Sequence, residues 1–130
     1  MHCKVACGDI IFVMDSVFDN WTVQLRKGVL ELCVLSAIGA RDDVYGYELV
    51  QELVGARGLD VSEGSVYPLL SRLRKQGVVE TRLVESAEGP ARKYYRLSAL
   101  GRARVAAMQV YYDELTDGVA EMRGNEKNSK

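Results

Sequence analysis

The alternation of apolar and polar positions divides the chain into five readable stretches. Residues 21–38 are dense in Val, Leu, Ile and Ala, and Val29, Leu30, Leu32, Cys33, Val34, Leu35 and Ile38 leave little polar face. Such a helix is buried on most sides. Gly39 and the polar Arg41, Asp42 and Asp43 end it, with an Asp available to cap the next helix. Residues 45–57 carry Tyr45, Leu49 and Leu53 at helical spacing, and Gly58 closes that second helix.

From Ser62, a natural N-cap, Val66, Leu69, Leu70 and Leu73 fall on one side of a third helix, while Ser65, Tyr67, Ser71, Arg72, Arg74 and Lys75 are left for other faces. Pro68 predicts a tightened or bent start, because a proline deep inside a helix costs about 3 kcal/mol whereas one in the first turn costs little. Gly64 and Ser65 could bring backbone N–H groups close to a phosphate there. After Gly77, Val78, Val79, Leu83 and Val84, then Tyr94, Tyr95 and Leu97, flank a polar loop as the strands of a long-looped hairpin do. Alternation puts Tyr94 and Tyr95 on opposite faces, one toward a core. The fifth stretch opens on Ser98 as N-cap. Val105, Met108, Tyr112, Leu115, Val119 and Met122 then step by three and four, the spacing of a helix that packs along another helix. A three-helix core with a hairpin has no use for all of them, so the sixfold set predicts a twofold dimer.

At 130 residues the chain suits one domain of ordinary hydrophobic content. Its net charge of −1 hides an asymmetry: residues 62–104 hold nine Arg and Lys against four Glu, a local +5, and the remainder carries −6. A helix and a hairpin that present cations side by side suit a rod of phosphates with readable base edges. No apolar run approaches the roughly 20 residues of a membrane helix.

Cys3, Cys7 and Cys33 are too few and too uneven for a secreted disulfide framework, so a reducing cytoplasm is expected. His2, Cys3 and Cys7 make an incomplete ligand set and predict no metal. Catalysis is not expected either, because His2 is the only histidine and no glycine-rich phosphate loop follows a strand. No cofactor is implied. Residues 1–20 are an extension of uncertain structure, and a translation start at Met14 would make the first thirteen residues an annotation extension.

Three blocks, YGYEL at residues 45–49, SEGSVYPLLSRLRKQG at 62–77 and GPARKYYRLSALG at 89–101, together resemble the PadR family of bacterial transcriptional regulators, over roughly residues 21–115. The resemblance implies a mainly α fold with a small β hairpin: a winged helix-turn-helix over 21–97 and a long C-terminal dimerisation helix over 98–122. Residues 123–130 are polar and short of apolar side chains, and are expected to be a disordered tail. The resemblance also implies that the third helix enters the DNA major groove, making Ser65, Tyr67, Ser71 and Arg72 candidates for base or phosphate contact and Lys75 a phosphate contact. Arg92 and Lys93 stand where the family's wing meets the DNA backbone. A homodimer on a near-palindromic operator, acting as a repressor, is the implied mode of action, with half-sites about 10 bp apart or a multiple. Many members release DNA when a small aromatic compound binds near the terminal helices, and here Trp21, Met108, Tyr111 and Tyr112 are the residues that could line such a pocket. The competing reading is a winged-helix module that binds protein instead of DNA.

Overall fold

The computed structural model describes residues 16–124. The chain forms α1 (Ser16–Gly39), β1 (Val44–Tyr45), α2 (Gly46–Val54), α3 (Glu63–Lys75), β2 (Val79–Val84), β3 (Arg92–Leu97) and α4 (Ala99–Met122). The strands make one antiparallel sheet in the order β1-β3-β2. The fold is therefore the expected winged helix, with one strand more than the hairpin.

Its core is built from one stripe of each element. Val34, Leu35 and Ile38 of α1, Leu49, Val50 and Leu53 of α2, and Val66, Leu69, Leu70 and Leu73 of α3 meet Val78, Val79, Tyr95 and Leu97 from the sheet, with Val105 of α4 closing one end. Each such side chain contributes about 1.5–3 kcal/mol when removed from water. Tyr95 is the tyrosine that faces this core and Tyr94 lies on the outer face, as the alternation required.

Four expectations about the first half are corrected. Tyr45 does not begin a helix: it is extended (φ −65°, ψ 129°) and pairs with Tyr94, while Val44 pairs with Tyr95. No Asp caps α2, because the Asp43 carboxylate is taken up by Arg82 at 2.7 Å. The helix also ends at Val54 with Gly55 as C-cap, and Gly58, in the left-handed region at φ 80°, turns the chain toward α3. Five residues assigned to the N-terminal extension, 16–20, belong instead to α1, where Phe18 stacks on Trp21 with ring centroids 6.2 Å apart. The supposed start at Met14, and His2, Cys3 and Cys7, lie outside the described residues.

Ser98 fastens the long helix to the head. Its hydroxyl donates to the Gly77 carbonyl at 2.6 Å and accepts the Gly101 N–H at 3.0 Å, a true N-cap. Gly101 then lies directly on the Val78 carbonyl, so closely that a Cβ there would overlap it. Farther along, α4 leaves the head. Val105, expected in a dimer seam, is instead buried in the protomer's own core and Met108 packs against that core, whereas Tyr112, Leu115, Val119 and Met122 are exposed. The heptad pattern thus divides into a start packed on the protomer's own core and an exposed remainder. Cys33 is half-buried and packs against the core, and that burial pushes its thiol above the usual range. Among the described residues no helix is long and apolar enough to cross a membrane.

Candidate nucleic-acid interface

Helix α3 has three kinds of surface. With Val66, Leu69, Leu70 and Leu73 buried, the residues directly opposite are Gly64, Pro68, Ser71 and Lys75, spaced four, three and four apart and all exposed. Tyr67 and Arg74, two turns apart, form the flank toward the sheet. Burial raises the Tyr95 phenol above its ordinary value, Tyr67 adds to that rise, and Arg74 opposes it. Ser65 and Arg72 form the other flank, toward α1, where the Arg72 guanidinium stands 3.8 Å from Glu31.

Pro68 is the sixth residue of the helix, so its missing N–H falls within the second turn. This leaves the Gly64 carbonyl without its usual donor, and the start of the helix is tightened as expected: the Ser62 carbonyl accepts from both Ser65 and Val66, at 3.0 and 3.2 Å. Ser62 occupies the N-cap position but makes no capping bond, its hydroxyl lying 3.4 Å from that of Ser65. This differs from Ser98, which satisfies its helix internally. The first turn of α3 is held to α2 by Gln51, which donates to the Glu63 carboxylate at 3.0 Å.

In the sheet, facing pairs share a side. Arg92, Tyr94, Arg82, Arg96 and Glu80 occupy the outer face with Tyr45, whereas Lys93 and its partner Leu83 continue the inner face past the core. Arg92 lies over the Tyr45 ring at 4.8 Å and Arg82 over Tyr94 at 5.3 Å. Arg92 and Lys93, grouped together in the sequence, therefore point to opposite sides of the wing.

The nine cations of the basic segment fall into three sets. Arg72 and Arg104 share Glu31, at 3.8 and 3.3 Å, Arg82 holds Asp43, and Arg96 holds Glu80 at 3.0 Å. Arg102, at the start of α4, makes no ion pair among the described residues and donates to the Leu97 carbonyl at 3.2 Å. Arg74, Lys75, Arg92 and Lys93 also make no ion pair among the described residues, and these four lie on α3 and the wing, where they are placed to meet a polyanion. Arg74 is the one that sequence reasoning passed over, although its spacing of seven from Tyr67 places both on one flank.

Away from this surface, α1 and α4 enclose a groove of about 450 Å³ whose walls include Leu25, Gly28, Leu32, Met108, Tyr111 and Tyr112. Three of the four residues expected in an effector pocket are there. Trp21 is not, since it sits one turn beyond Leu25 and packs on Phe18. No group of His, Cys, Asp and Glu suited to a metal occurs among the described residues.

Comparison with known proteins agrees with this geometry. Residues 34–107 match the transcriptional regulator PadR-like family. Transcriptional regulator Rv3488 of Mycobacterium tuberculosis is 36% identical over 108 residues, covering 78% of this chain and 96% of its own. A transcriptional activator of Halobacterium salinarum, GvpE1, is 34% identical over 95 residues, covering 69% of this chain but only 47% of its own. The crystal structure of a Streptococcus transcriptional regulator superposes with a TM-score of 0.67 at 43% identity, over 77% of this chain and 97% of the other. This chain, with its capped long helix, its proline-bearing third helix and its basic wing, belongs to the PadR-like family of transcriptional regulators.

Proposed function

We propose that the protein is a sequence-specific DNA-binding repressor that works as a homodimer and responds to a small apolar ligand. The observation that carries the DNA reading is the sorting of cations: Arg74, Lys75, Arg92 and Lys93 stand without acidic partners around one helix and one wing, while Arg72, Arg82, Arg96 and Arg104 are ion-paired inside the protomer. In this reading α3 enters the major groove with Gly64, Pro68, Ser71 and Lys75 leading. Ser65 and Tyr67 lie on either side, within reach of base edges or phosphates, and Lys93 meets the backbone from the wing. Arg72 reads a base only by exchanging Glu31 for guanine, which makes it a slower and more selective contact than Lys75.

The homodimer is inferred from exposed apolar side chains on two elements: Tyr112, Leu115, Val119 and Met122 on α4 and Val17, Trp21 and Leu25 on α1. Their solvent exposure in one protomer is relieved by a second copy. Two heads held in this way reach successive major grooves, with half-sites about 10 bp apart or a multiple of that. Binding across a promoter blocks polymerase by occlusion, hence a repressor. The groove between α1 and α4 adjoins the same surface, so a ligand in it would favour one arrangement of the two heads over another.

Selection of bound duplexes from a random-sequence pool tests the function. Recovery of two related half-sites in inverted orientation is the expected outcome. A pool that shows no enrichment would instead favour the protein-binding winged helix. Within the bound complex, Lys93→Ala is expected to weaken all duplexes alike and to lower the slope of log K against log salt by about 0.9, the value of one phosphate contact. An unchanged slope would take Lys93 out of the interface.

A further inference from the structure

We infer that Gly64 is where the duplex comes closest to the recognition helix, its bare Cα forming a contact surface that no side chain could share; the inference rests on the DNA-binding reading above. Several glycines among the described residues have a reason inside the fold. A Cβ on Gly46 would come within 2.9 Å of the Tyr95 ring, and one on Gly101 would overlap the Val78 carbonyl. Gly58 and Gly77 adopt φ values of 80° and 81°, which side chains disfavour.

Gly64 has no such reason. It is the second residue of α3 and its φ is not positive, Pro68 constrains its carbonyl and not its Cα, and the nearest atom to a Cβ built there is the Ser62 hydroxyl oxygen at 3.7 Å, a normal van der Waals distance. Alanine would fit, and alanine is the better helix former. The residue is therefore worse for the protomer than an available alternative.

What distinguishes its position is what it faces. Gly64 heads the exposed stripe Gly64, Pro68, Ser71 and Lys75, opposite the core side of the helix. Pro68, the next residue of that stripe, is also a poor helix former with a short, flat side chain. The leading end of the helix is thus kept low by two residues that the helix itself does not favour. The B-DNA major groove is about 12 Å wide and a helix with its side chains about 10–12 Å across, so one methyl group on the leading face decides how deep the helix sits. With Gly64 bare, the neighbouring Ser65 and Tyr67 are carried to the depth of the base edges. Gly28, Gly89 and Gly118 have nothing within 4 Å of a built Cβ, but Gly28 and Gly118 lie on α1 and α4, away from the head, and Gly89 lies in the loop between β2 and β3, so Gly64 is the one of the four on the recognition helix.

Gly64→Ala separates a partner's requirement from the fold's. The unmodified protein and the variant are compared by thermal melting and by fluorescence anisotropy against a duplex recovered in the selection above. Expected are a melting temperature that is unchanged or higher, and binding to the selected duplex weaker by roughly tenfold or more. A variant that binds as tightly as the unmodified protein overturns the inference and leaves the DNA reading intact. A lowered melting temperature also overturns it, because the glycine would then serve the fold. Failure of the unmodified protein to bind any duplex removes the DNA reading, and this inference with it.

Discussion

Gly101→Ala should cost the fold about 3 kcal/mol, at the upper end of what overpacking by one methyl does. The reason lies in what the added carbon would meet. Most overpacked side chains find relief by turning a neighbouring rotamer, but here the obstacle is the backbone carbonyl of Val78, with the Val78 carbonyl carbon 3.0 Å away and Leu97 at 3.4 Å behind it. That carbonyl is fixed in turn, since it accepts the Ser98 N–H at 3.1 Å. Relief therefore requires the start of α4 to move away from the junction of α3 and β2, breaking the Ser98 cap. A thermal melt should show a fall of roughly 10 °C for a domain of this size. Leu100→Ala, one residue away and half-exposed, is the matched control and should shift the melt far less. If the two variants melt alike, the Val78 carbonyl does not fix the start of α4.

Leu115→Asp should leave a monomer. In one protomer Leu115 is 51% exposed, so a carboxylate there is solvated and the head keeps its fold. In the proposed dimer the same position would lie among Tyr112, Val119 and their counterparts, where an unpaired carboxylate would lose its water without gaining a partner. A cost of about 4 kcal/mol raises the dimer dissociation constant roughly a thousandfold. Sedimentation at micromolar concentration should then give the mass of a single 14.4 kDa chain. DNA affinity should fall with it, because each head then binds alone and the effective concentration supplied by the twofold is lost. An unchanged dimer would move the interface off this part of α4.

Much of the fold was legible because its elements are long or strongly periodic. The apolar stripe of α3 and the heptad steps of α4 stand out, and the blocks around residues 62–77 and 89–101 carry the family likeness. β1 was not legible, since a two-residue strand has no period and is defined only by its pairing with Tyr94 and Tyr95. Asp43 looked like a helix cap because its real partner, Arg82, is thirty-nine residues away. Val105 matched the dimer spacing, yet burial against the protomer's own core overrides periodicity there. The interface shows the same division. Composition located the basic segment, but which of its cations are free depends on Glu31, Asp43 and Glu80, acids brought near by tertiary packing.

Titration at two salt concentrations decides whether a dimer reads duplex DNA through α3 and the wing. The purified protein is titrated against the selected duplex and a scrambled one, at about 50 and about 200 mM salt. A dimer with about 6–10 phosphate contacts should prefer the selected duplex and lose about 10³–10⁵ in affinity across that range. Equal affinity for both duplexes, or binding that salt does not weaken, would contradict the account.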